Sequence, residues 1–421
     1  MLGLVLACVL PTTWIVDANS GPGTHFTDLP AAVAAAQSGD TILVRSGNYT
    51  AFYVTGKALT IRGAGQGTTV INLPTGHATH SHLTIEATPF GETFFLSGLS
   101  VVAQWTGPSL GALNALAGAK VVIADCVVSA YFGWYGGRAG LSVSGSEVHT
   151  HRCTFQGGPY LTLSTIGPNG ARIEAGSKFA ADSCEFVGAP GIGGGFANVA
   201  GSALFVAASA ATITRCSCWG GSPYHATYMV GGHGAQVEGG SLRIAGTVTN
   251  TFVGGDSHSG PGAGGFALYA GGTITVHGPV TLTAGFPNPQ PTSGAVTLGG
   301  PLLPYLAISG TSLPSRELNA ALPATFNLDG LFPNALYFLL VSTAPDYFTT
   351  APWGLGEILL SLQAAESHIG LLDATGNLTF TFTPASVPAL LNHPVYSQAA
   401  VFDAATGQLR LSQTNMRIFA L

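Results

Sequence analysis

Four cysteines sit in one recurring frame of apolar and polar positions: VVIADCVVSA, VHTHRCTFQG, KFAADSCEFVG and ATITRCSCWGG. The frame extends to FFLSGLSVVA ahead of them and to LRIAGTVTN and TVHGPVTLTAG behind. One column of positions reads Leu99, Cys126, Cys153, Cys184, Cys216, Val248 and Val280, at intervals of 27 to 32 residues. A second, two residues later, reads Val101, Val128, Phe155, Phe186, Cys218, Asn250 and Leu282. A third, three residues before the first, reads Leu96, Ile123, Thr150, Ala181 and Ile213.

Residues two apart share one face of a strand, so the first two columns point to the same side. An offset of three breaks that period and demands a turn. Its occupants are turn formers: Ser97-Gly98, Ala124-Asp125, His151-Arg152, Asp182-Ser183 and Thr214-Arg215. Short strands, a two-residue corner and a repeat near 30 residues describe one rung of a parallel coil. A rung cannot bury its inner face alone and must stack on its neighbours. Asn250 is the exception in the columns: it either hydrogen-bonds inside the stack or marks a slip in register. The thiols read as small buried hydrophobes, although stacked rungs leave a disulfide between neighbours geometrically open.

Upstream, FTDLPAAVAAAQSGD predicts a short helix, with Thr27 or Asp28 as N-cap, Pro30 in the first turn and Gly39 just past the end. Leu29, Ala32, Val33 and Ala36 make one apolar stripe that can cover the open first rung. The run DLPAAVAAAQSGDTILVRSGNYT, followed by LTIRGAG, resembles the opening of pectin-lyase-like β-helix proteins. Rungs such as FAADSCEFVG are similar to that superfamily's as well. The resemblance covers residues 14–305 and implies a right-handed parallel β-helix (solenoid) with an N-terminal capping helix. It says little about activity, because the superfamily includes lyases, hydrolases, epimerases and non-enzymatic surface proteins.

Residues 306–421 follow another pattern. LYFLLVS, EILLSLQ, NLTFTFT, VYSQAAVFD and QLRLS predict strands, separated by the turn formers LDATGN and DAATGQ. They make a small C-terminal β-sandwich, so the chain as a whole is all-β. This segment resembles a terminal module of secreted proteins from planctomycete-type bacteria.

Composition sharpens the picture. Only 8% of the 421 residues are charged, against about 25% in an average chain. Glycine numbers 59, and the net charge is −6. No basic stripe is present, which argues against nucleic acid as partner. Residues 1–13 read as the remnant of an export signal: the apolar run Leu2–Leu10 is too short to span a bilayer, and a basic leader is missing. The expected location is secreted or at a bacterial cell surface, with no membrane span.

Rung length varies just after the second column, in the loops AYFGWYGGRAG, GGPY, WGGSPYHATYMVGGHG and VGGDSHSG. They should leave the coil at one phase and form a wall carrying Tyr131, Trp134, Tyr135, Arg138, Tyr160, Trp219, Tyr224 and Tyr228. Aromatic rings offer flat apolar faces that suit sugars, and loops on a rigid scaffold commonly carry function. The same rings could equally cover the coil's flank. The leading expectation is a protein that binds extended polysaccharide or a cell-surface glycan.

A polysaccharide lyase, epimerase or glycoside hydrolase is the alternative, with His225, His233, Asp256 and His258 as acid, base or charge-neutralising groups. No pair of them stands at a diagnostic spacing, so the sequence leaves open whether the protein is an enzyme. A purely structural or adhesive surface protein is a third reading. No cofactor and no metal are expected. His149, His151 and Cys153 alternate as zinc ligands would, but the corner at His151-Arg152 should make them diverge. His77, His80 and His82 read as a polar loop. Oligomeric state is not legible.

Overall fold

A computed structural model describes residues 11–73, 83–103, 111–130, 139–158, 167–191, 199–223, 230–246, 248–257, 264–288, 290–299, 305–310, 318–343, 345–349, 354–355, 357–360, 365–383, 394–412 and 415–420. The described residues are all-β apart from one helix, and the chain winds as a parallel β-solenoid of the right-handed type.

Each rung supplies three strands. Column one includes Phe94–Ser97, Lys120–Ala124, Glu147–His151, Lys178–Asp182, Ala210–Thr214 and Ser241–Ala245. Column two includes Ser100–Ala103, Val127–Ala130, Thr154–Gln156, Glu185–Val187, Ser217–Trp219 and Asn250–Val253. Column three includes Gly111–Leu116, Ala139–Ser144, Ala171–Glu174, Leu204–Ala207 and Ala235–Glu238. Every strand pairs in parallel with its equivalents in the rungs above and below.

The predicted corners lie between columns one and two. Asp125, Arg152, Ser183 and Arg215 turn the chain with left-handed backbone (φ 51, 54, 56 and 53°), and Gly98 does so one rung earlier. Non-glycine residues pay a steric cost there, and parallel backbone pairing on both sides holds them in place. The residue after each corner then points inward. Leu99, Cys126, Cys153, Cys184 and Cys216 are all buried, as are Ile123, Thr150, Ala181 and Ile213 from the preceding strand. The Cys153 amide donates to Cys184 Sγ at 3.4 Å, so the thiols do stack. Five cysteines, from Cys126 to Cys218, are free thiols. Beside them Phe155 and Phe186 stack at 5.6 Å, each burial contributing about 2–3 kcal/mol.

One part of the expected register is corrected. Val248 is 43% exposed and does not continue the thiol column. Asn250 takes that position instead, 34 residues after Cys216. Its Oδ1 accepts the Cys216 amide at 2.9 Å, and its Nδ2 donates to Ala245 O at 3.1 Å. Phe252, rather than Asn250, pairs with Cys218 in the second column. The extra length is taken up next to Gly246, which has φ 107°. Asn250 then pairs with Val280, restoring the frame. Both earlier options therefore apply: the register slips, and Asn250 satisfies the backbone it meets.

The capping helix spans Leu29–Ala35. Asp28 is its N-cap, accepting the Leu29 amide, and it also accepts the Thr50 amide, each at 2.8 Å. Lys57 Nζ donates to the carbonyls of Val33, Ala34 and Ala36 at the other end. Leu29, Ala32 and Val33 join the solenoid core.

Beyond the coil, two sheets face each other across a separate core of Leu306, Phe326, Leu328, Tyr337, Leu339, Val395 and Val401. One sheet comprises Tyr305–Gly310, Ala324–Asp329 and Asn377–Phe382; the other is centred on Leu336–Ser342 and Pro394–Asp403. Tyr396, Met416 and Leu340 of this module pack on Phe95, Val122 and Ala124, outward residues of column one. Arg152 reinforces the contact by donating to Met416 O at 3.0 Å. The module thus covers column one at these rungs, while on column three the outward residues Arg172, Phe205, Gln236 and Tyr269 are partly or fully exposed.

Candidate functional site

The variable loops all depart after column two, where described strands end at Ala130, Gln156, Val187, Trp219 and Val253. Their outgoing and returning legs meet at a common base. The amides of Gly201, Gly221, Gly232, Gly255, Gly265 and Gly285 donate in sequence to the carbonyls of Ala189, Gly201, Gly221, Gly232, Gly255 and Gly265 at 2.8–3.0 Å. Three of these bonds, from Gly201, Gly232 and Gly265, join the two legs of one loop, and the other three join one loop to the next. Only glycine permits this approach: a Cβ on Gly232 would stand 2.0 Å from Gly201 O. This accounts for the glycines at the described loop roots. They brace the roots of the loops.

Of the residues expected to form a site, three are described. Trp219 ends its strand on the outer surface, 41% exposed. His233 sits on the returning leg, with its ring stacked on Tyr269 at 4.8 Å and tilted against Phe266 at 5.6 Å. Its Nδ1 accepts the Phe266 amide at 3.0 Å, and burial lowers its pKa to about 4. At neutral pH it is an uncharged packing and acceptor group. Asp256 accepts the Phe286 amide at 2.7 Å, while its own amide donates to Ser222 Oγ. It ties adjacent loop roots together. Tyr131, Trp134, Tyr135, Arg138, Tyr160, Tyr224, His225, Tyr228 and His258 lie outside the described residues, as do His77, His80 and His82.

The sequence columns missed the outer face of column three, beside the returning legs. Ser142, Arg172, Phe205, Gln236 and Tyr269 pair in register across successive rungs and form one outward row. Arg172 lies over the Phe205 ring at 5.5 Å. Two residues further along their strands, Glu174 accepts from Arg172 at 2.6 Å and Glu238 from Gln236 at 2.7 Å. The Gln236 side chain also bonds Ser202 Oγ at 2.8 Å. Partly exposed rings alternate here with oriented polar groups, and the polar groups brace one another. The alternation was present in the sequence, but these strands lack the cysteine that anchors the other columns.

No family model matches this chain. No curated protein matches it either. Among solved structures, YbhC of Escherichia coli is similar over 60% of this chain and 77% of its own, at 11% identity and TM-score 0.32. The enzymatically active domain of tailspike protein 2 from bacteriophage CBA120 covers 91% of this chain and 73% of its own, at 9% identity and TM-score 0.32. The full-length tailspike protein 2 gives 10% identity and TM-score 0.25, with 65% of its length covered. Likeness this distant leaves the function to the chain's own residues.

Cys153 points away from the two histidines, into the core, while His149 and His151 lie on the outer side of the strand, His151 against Tyr396 of the C-terminal module and His149 beside Glu147. Among the described residues no cluster of His, Cys, Asp and Glu could hold a metal ion, and no helix is long and apolar enough to cross a membrane.

Proposed function

We propose that this is a secreted or surface solenoid, of pectin-lyase-like type, that binds extended polysaccharide along the outer row of column three, with the aromatic loop residues as its second set of contacts. The observation that carries the reading is the row Arg172, Phe205, Gln236 and Tyr269, repeated at the rung spacing of about 4.8 Å. Sugar rings present apolar faces and hydroxyl edges. Phe205 and Tyr269 supply faces for the former; Arg172, Gln236, Glu174 and Glu238 supply donors and acceptors for the latter. Because the row is periodic along the coil axis, it suits a chain rather than a single sugar. The sequence nominates the aromatic loop residues Tyr131, Trp134, Tyr135, Tyr160, Tyr224 and Tyr228, with Arg138, as further sugar contacts; of the loop aromatics Trp219 is the described one, exposed at the end of its strand. The C-terminal module, planctomycete-like in sequence, packs on column one at Phe95, Val122 and Ala124, away from this row.

Glycan-array binding tests the reading. The double variants Phe205→Ala/Tyr269→Ala and Trp134→Ala/Tyr224→Ala should each abolish capture of whichever polysaccharide the wild type retains. Capture unchanged in both would refute it.

A second reading, hydrolysis, rests on Glu174 and Glu238. They stand two rungs apart, about 9.6 Å along the coil, close to the upper separation of about 9.5 Å for inverting glycosidases. New reducing ends that vanish in Glu238→Gln would favour it; binding without cleavage would remove it.

A further inference from the structure

A second groove lies at a different corner of the coil, where column three turns into column one. Most of these corners are tight, as at Ala117–Ala119, but one is extended, running from Ala87 to Thr93 between Leu83–Glu86 and Phe94–Ser97. The extended corner leans over the following rungs, where Thr88 Oγ1 accepts the Lys120 amide at 2.8 Å. Beneath it is a groove of about 530 Å³.

The floor consists of the corner glycines Gly118, Gly145 and Gly176, all with positive φ. A Cβ on Gly118 or Gly176 would meet nothing within 4 Å, so the floor is open to a ligand. One wall is a ladder of side chains in register across three rungs: Lys120, Glu147 and Lys178. Lys120 Nζ stands 3.7 Å from Glu147 Oε1, and the buried His149 holds the same oxygen from behind at 3.2 Å. The opposing wall carries Phe90, fully exposed at 107%. The chain has only three lysines, and two of them meet here with Glu147 and Glu92. In so charge-poor a protein that concentration is conspicuous.

We infer that this groove is a binding site for a short neutral saccharide, separate from the row on column three. The ladder alternates donor, acceptor and donor at the spacing of the rungs. The carboxylate, fixed from two sides, can accept a pair of adjacent hydroxyls, and the flanking ammonium groups donate to ring and hydroxyl oxygens. Phe90 offers its face to the apolar side of a sugar ring. The two lysines and two glutamates balance in charge, which selects a neutral ligand over a polyanion. The three rungs span about 9.6 Å, room for two or three sugar units.

Saturation-transfer NMR with cellotriose, xylotriose, mannotriose and chitotriose, and with trigalacturonate as the anionic comparator, tests this. At least one neutral trisaccharide should bind, about tenfold more weakly to Phe90→Ala. Glu147→Gln should weaken it too, whereas Phe205→Ala/Tyr269→Ala should leave it unchanged. Phe90 is wholly exposed, so its removal leaves the fold intact, and circular dichroism verifies this. The inference fails if no neutral trisaccharide binds, if binding survives Phe90→Ala, or if trigalacturonate binds more tightly. Binding lost only in Phe205→Ala/Tyr269→Ala would overturn this groove while supporting the row on column three.

Discussion

Arg152 grips Asp125 of the preceding rung through two hydrogen bonds, Nε to Oδ1 at 2.8 Å and Nη2 to Oδ2 at 2.7 Å. The same guanidinium reaches Met416 O, so one corner residue joins two rungs and the C-terminal module. Arg215 repeats the grip on Asp182 two rungs along. Asp125 is nearly buried, with 6% side-chain exposure. Removing its partner would strand a carboxylate under the module. Arg152→Ala should therefore cost about 3 kcal/mol and loosen the module. Hydrogen exchange measured by mass spectrometry should speed up in Pro394–Asp403 while Leu204–Ala207 keeps its protection. Equal exchange in variant and wild type would mean that Arg152 does not tether the module.

Asn250 separates the observed register from the one the repeat suggests. If Val248 were inward, as the columns imply, Asn250→Val would be neutral or stabilising. In the observed register it strands the Cys216 amide and the Ala245 carbonyl inside the core. The expected cost is about 2–3 kcal/mol, read from the denaturant midpoint. A midpoint at or above wild type would restore the simpler register.

His233 predicts a pH dependence. Burial lowers its pKa to about 4, against about 6.5 in the unfolded chain, so the unfolded state binds its proton first as pH falls. Its contribution is complete above pH 6.5 and is lost as pH falls through 4, amounting to as much as about 3 kcal/mol. His233→Phe keeps the stack on Tyr269 and removes the titration. The variant should start less stable at pH 7, because the Phe266 amide loses its acceptor, yet show a shallower decline between pH 7 and 4.5. Parallel declines would place the acid sensitivity elsewhere.

The coil was legible because thiols and aliphatics recur at a fixed phase and the corner residues change that phase. The helix cap at Asp28 and the strands around Tyr337 and Tyr396 were legible from caps, alternation and turn formers. The slip at Asn250 was not, since one buried amide can replace a buried apolar group when backbone partners are at hand. His233 and Asp256 looked chemical by residue type; each turned out to have a backbone amide as partner, which sequence alone does not reveal. The row on column three was missed because its members lie about 30 residues apart and meet only through parallel pairing, with no cysteine to mark the register. The Lys120–Glu147–Lys178 ladder was legible in register, six residues before Cys126, Cys153 and Cys184; what the sequence does not show is the extended corner that makes a groove beside it.

The central claim is that a polysaccharide chain lies along a periodic row, and chain-length dependence of affinity tests it most directly. From Arg172 to Tyr269 the row covers three rung steps, about 14 Å. Titrating oligosaccharides of rising length from the captured polysaccharide, by calorimetry, should show affinity climbing with each added sugar until the row is covered and then levelling off. A monosaccharide that binds as tightly as the longest oligomer would contradict the account.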